Sequence, residues 1–169
     1  MRLTHFFVAF TIAIASSAAS AARQDPQMQQ RGEMVMGFDQ AKTTHHFSLY
    51  EDGGAIEVSV NDPSDTANRD AIRAHLPHIA QMFGAGDFEA PMEVHAQQVP
   101  GTVEMSKLKD KLTFTYVETP RGGRVDIITT DKDALAAVHK FLTFQISDHH
   151  TNDSTRVTAR PKTGRRPAA

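Results

Sequence analysis

Two stretches of the chain repeat one pattern, and that pattern leaves few ways to fold. In the first, His45–Tyr50 and Ala55–Asn61 flank Asp52-Gly53-Gly54, and Asp65–Phe83 follows with helical periodicity. In the second, Leu112–Glu118 and Arg124–Thr129 flank Arg121-Gly122-Gly123, and a helix is predicted over Lys132–Asp148. Paired glycines between β-rich runs signal a hairpin, because they accept the backbone angles of tight turns. Gly53–Asp62 aligns with Gly122–Asp131 without gaps, and six of the ten positions are identical or conservatively matched. A hairpin must bury one face against another layer. The repeat therefore predicts an α+β domain: a duplicated ββα unit in which an antiparallel sheet carries two long helices on one face.

Helix phase agrees. Ile72, Leu76, Ile79 and Phe83 form one apolar stripe, and Leu135, His139, Leu142 and Ile146 repeat it. This alignment gives His139 the place of Leu76. Phe141 and Phe144 fall outside the stripe and are read as covering a second surface or a homodimer contact. Between the repeats, Ala90–Gln97 reads as a short extra strand and Thr102–Asp110 as a short helix.

The N-terminus has Arg2, an apolar run from Phe6 to Ala15, and small residues through Ala22. This is the pattern of a secretory signal peptide over residues 1–22, too short to span a bilayer. A polar lead-in (23–33), one domain (34–154) and a basic, disordered tail (155–169) complete the predicted organisation. Export to the periplasm or beyond follows. No second apolar stretch offers a membrane anchor. The chain has no cysteine, which excludes disulfides, thiol nucleophiles and cysteine-ligated metals. Its net charge of −2 hides an acidic domain, since all 20 acidic residues precede the tail. Nucleic acid is a poor partner for such a surface.

Nine histidines are the compositional excess. His75, His78 and Met82 share one helix flank, offering two nitrogens and a thioether. Soft sulfur with imidazole suits copper, and imidazole with carboxylate suits zinc. His45 and His46 alternate across a strand, so only one can join a given site. His95 and His139 complete the candidate metal set of His45, His46, His75, His78, Met82, His95 and His139. His149 and His150 near a helix end are explained by the helix dipole. On the predicted sheet, His75 and His139 approach each other above His45 or His46.

Met36–Gln40, Thr43–Phe47, Ile72–Ala80, Gly86–Phe88, Pro91–His95, Ala137–Leu142 and Phe144–Ile146 resemble segments of a group of uncharacterised exported bacterial proteins. Some members of that group carry the label aspartate carbamoyltransferase. Ser154-Thr155-Arg156 matches the start of that enzyme's Ser-Thr-Arg-Thr-Arg phosphate loop, and the match ends at Val157. The resemblance transfers no catalytic residue.

Three functions stay open. The first is an exported binding protein whose His and Met residues take copper or zinc. The second is an interaction or scaffold domain, homodimeric through Phe141 and Phe144, with structural histidines. The third is a small hydrolase using histidine as general base. The sequence carries no Gly-x-Ser-x-Gly elbow, no Gly-Lys-Ser/Thr phosphate loop and no His-Glu-x-x-His.

Overall fold

The computed structural model describes residues 26–162. The predicted signal peptide and the end of the predicted tail lie outside them. The elements run α1 (Pro26–Met36), β1 (Thr43–Tyr50), β2 (Gly53–Val60), α2 (Thr66–Gly84), α3 (Glu89–His95), α4 (Thr102–Lys107), β3 (Thr113–Thr119), β4 (Gly122–Ile128) and α5 (Lys132–Asp148). The four strands form one antiparallel sheet in the order β1-β2-β4-β3, with the two inner strands supplied by the two hairpins. The α+β architecture with both long helices on one face is as the sequence predicts. Among the described residues no helix is long and apolar enough to cross a membrane.

Each long helix lies across the hairpin of the other unit. Leu76 of α2 sits over Gly123, where an added Cβ would come within 3.0 Å of its Cδ1. Leu142 of α5 sits over Gly54, where the same atom would be 2.1 Å away. Gly54 and Gly123 occupy equivalent places in the aligned hairpins, so the missing side chains let both helices sink onto the sheet. The turns are tied reciprocally as well. Thr129 N–H donates to Asp52 O, and Val60 N–H donates to Arg121 O, at 2.9 Å each.

Both helices start at an aspartate. Asp65 accepts from Asn68 N–H, and Asp131 accepts from the Asp133 and Ala134 N–H groups, satisfying donors that a first turn leaves open. The predicted α2 stripe is buried in full. On α5 the buried face is Ala134, Ala137, Val138, Phe141, Leu142, Gln145 and Ile146, rotated from the predicted stripe. Counted from the two caps, Leu76 matches Leu142 and His139 matches Arg73, not Leu76. Phe141 is 1% exposed and belongs to the core, and Phe144 packs edge-on against His95. Of the two residues read as a second surface or a homodimer contact, Phe141 is thus part of the core, while Phe144 is half-buried and lines a surface groove with His139 and Lys140.

Two further expectations are corrected. The extra strand over Ala90–Gln97 is the helix α3 with a left-handed cap at Ala96. Pro91 falls in its first turn, where no amide donor is required, and Asp87 accepts from Glu89 N–H. The second correction concerns the tail. The tail, expected to be disordered over 155–169, is fastened at Thr158 and Arg160 beside the end of the edge strand β1. Thr158 pairs with it in parallel, donating to Leu49 O and accepting from Glu51 N–H. Arg160 holds this strap through Asp52, Asp126 and the carbonyl oxygens of Gly54 and Ile127, with its guanidinium 4.5 Å from the Tyr50 ring centroid. One guanidinium presenting several donors in a fixed fork anchors the segment. Covering an edge strand also blocks unwanted pairing there.

Candidate functional site

Between the sheet and the helices lies a cavity of about 70 Å³. One water needs roughly 10–15 Å³ of such space, so this cavity has room for a small molecule. Its floor is His45, Phe47, Ile56 and Val58 from β1 and β2. Leu76, Ile79 and Phe83 of α2 form one wall, Phe141 and Gln145 of α5 with its cap residue His149 another, and Pro91, Val94 and His95 of α3 border it. His75 lines it from the outer side of α2.

Strand alternation separates the first histidine pair as expected. His45 points inward and is buried, while His46 is exposed and its Nδ1 lies 2.9 Å from Asp153. The same carboxylate accepts from Phe47 N–H, so His46 belongs to the fastening of the C-terminal segment. His45 stacks on His149 at a centroid distance of 5.1 Å, and His149 meets His95 edge-on at 5.0 Å. His95 faces the Asp148 carboxylate with Nδ1 and the Gln145 amide with Nε2. In either amide orientation, Gln145 spends one amide atom on His95 and leaves the other for a further partner. That second atom, Gln145 Nε2 as placed, has no hydrogen-bond partner, and neither has His45 Nε2.

Burial governs the charge of this cluster. Desolvation, reinforced by the neighbouring imidazoles, lowers the pKa of His45 to about 4 and that of His149 to about 2. His75 is lowered to about 4, first by burial and then by His78. All three are neutral near pH 7.

The predicted metal set divides into three. His45 and His95 join the cavity. His75, His78 and Met82 line an open groove outside it, with His75 shared between the two. His46 and His139 join neither. His139 Nε2 lies 2.9 Å from Tyr50 O and 3.1 Å from Gly53 O, so its N–H clamps α5 to the first hairpin turn. The expected approach of His139 to His75 fails because α5 and α2 cross opposite hairpins. Among the described residues, no group of three or more His, Asp or Glu side chains is placed to hold a metal ion.

His149 and Gln145 were missed from the sequence. Alignment on the two aspartate caps would have found them, since they stand at the positions that Phe83 and Ile79 occupy in α2. A hydrolase needs a nucleophile near its base. Among the residues lining the cavity there is no serine or threonine to serve the His95–Asp148 pair. Ser154, Thr155 and Arg156 are exposed at the start of the strap. Compared with known proteins, the chain matches no family model, no curated protein and no solved structure.

Proposed function

We propose that this is an exported binding protein whose inner cavity takes a small, mostly apolar molecule bearing one hydroxyl or carbonyl group. The observation that carries the reading is the pair of buried, unpartnered polar atoms, His45 Nε2 and Gln145 Nε2, among the residues of a largely apolar cavity. A buried polar group without a partner costs roughly 1–3 kcal/mol. A ligand hydroxyl that donates to one of these atoms and accepts from the other removes that cost. The apolar remainder of the ligand is taken up by Phe47, Val58, Ile79 and Phe141. Export is part of the proposal and rests on the N-terminal apolar run and its small-residue end.

Matched probes test it. p-Cresol and toluene differ by the hydroxyl alone, and a ligand specific to the folded state raises thermal stability with its concentration. The expected result is a melting shift and methyl chemical-shift changes at Val58 and Ile79 with p-cresol, a weaker response to toluene, and neither in His45→Phe. Equal responses to both probes would remove the polar half of the reading. No response to either at millimolar concentration would remove the cavity as a site.

A further inference from the structure

Outside the cavity, a groove runs between α2 and α3 beneath the end of α1, lined by Met34, His75, His78, Met82, Glu89 and Glu93. We propose that this groove binds Cu(I), held by the thioethers of Met34 and Met82 and the imidazole of His78, with His75 as the inner wall. The site is separate from the small-molecule reading of the cavity and does not rest on it.

Helix geometry places the ligands. His78 and Met82 are four residues apart, and His75 stands one turn earlier on the same flank. Met34 comes from another element, α1, and is 72% exposed. A large apolar side chain left in water, beside a second methionine and an exposed histidine in one groove, is explained if its sulfur has work there. Thioether and imidazole are soft to intermediate donors that select Cu(I), while Zn(II) and harder cations prefer sets of imidazole and carboxylate. No such set of three is assembled among the described residues, so the methionines decide the metal. Glu89 and Glu93 line the α3 side, and neither forms an ion pair among the described residues. Their field raises the local concentration of a cation. Both His75 and His78 line the groove.

The test is anaerobic Cu(I) titration of the folded protein against a chromophoric Cu(I) chelator, followed by methionine methyl NMR. One equivalent should bind, shifting the ε-methyl signals of Met34 and Met82. Loss of an outer-shell partner commonly costs ~10–100-fold in metal affinity, so Met82→Leu, Met34→Leu and His78→Ala should each weaken binding by about tenfold or more. These positions are exposed or half-buried, so the variants should melt near the parent temperature, and excess Zn(II) should not displace Cu(I). Three results would overturn the proposal: no Cu(I) binding, undiminished affinity in a folded triple variant, or affinity lost in His45→Phe and kept in the groove variants. The last would place the metal in the cavity and would also distinguish this failure from that of the small-molecule reading.

Discussion

The two ββα units share their fastenings and differ where they face the cavity. Leu76 over Gly123 and Leu142 over Gly54 are the same contact made twice. Arg73 donates to the carbonyls of Thr119 and Gly122, and His139 donates to those of Tyr50 and Gly53, the equivalent atoms of the other turn. Yet where α2 presents Ile79 and Phe83, the matching positions of α5 are Gln145 and His149. Burying polar groups at core positions lowers stability. A sequence that does so in one copy while the other shows an apolar solution marks a place where something other than stability is served.

Acid is the strongest way to break this comparison. The folded-state pKa of His45 is about 4 against an unfolded value of 6.5. A histidine lowered in this way leaves stability at its full value above pH 6.5. As pH falls, the unfolded chain takes up the proton first, and stability is lost until the folded pKa is reached. His45 alone accounts for about 3 kcal/mol between pH 6.5 and 4. It is faced by His75, His46, His95 and His149, with His149 protonating only further into acid. Urea unfolding at stepped pH should show this decline in the parent protein. It should be much shallower in a His45→Phe, His149→Phe double variant. An unchanged pH profile in that variant would mean that the polar half of the core does not control acid stability.

The glycine pair sharpens the comparison next. An added methyl at Gly54 meets Ser48 O at 2.6 Å as well as Leu142, whereas at Gly123 the nearest atoms belong to the Tyr116 and Leu76 side chains. Backbone cannot yield as side chains can. Gly54→Ala should therefore cost about 2–3 kcal/mol and Gly123→Ala about 1–2 kcal/mol, measured as changes in urea midpoint. Equal costs would show that the second hairpin is held as rigidly as the first.

How much of this was legible depended on distance along the chain. The hairpins and α2 followed from glycine pairs and a local apolar stripe. The α5 phase did not, because a half-buried histidine and leucine mimicked the stripe while Gln145 and His149, the polar residues on the buried face, broke it. The Asp131 cap carried the correct register. The α3 helix was hidden by a proline that reads as a breaker unless its place in the first turn is known. The strap was hidden by composition, since Arg160 finds Asp52 and Asp126 only through the sheet. His95, His45 and His149 come from three distant segments, and only the crossing of each helix over the other hairpin brings them together.

The smallest effect lies in the turn clamps, where the comparison is most nearly symmetric. Arg73 combines its carbonyl bonds with an ion pair to Glu118 whose carboxylate is largely exposed. Such a pair adds little. His139 makes its two carbonyl contacts through one nitrogen. With net values near 1 kcal/mol per hydrogen bond, Arg73→Ala should cost about 1–2 kcal/mol and His139→Ala about 1 kcal/mol. The two clamps hold opposite turns, so their costs should add in the double variant. His139→Ala should also leave Cu(I) affinity at the parent value, because its ring faces a turn rather than the groove. A loss of metal binding in that variant would mean that α5 and the groove are coupled in a way that the two-unit architecture does not provide.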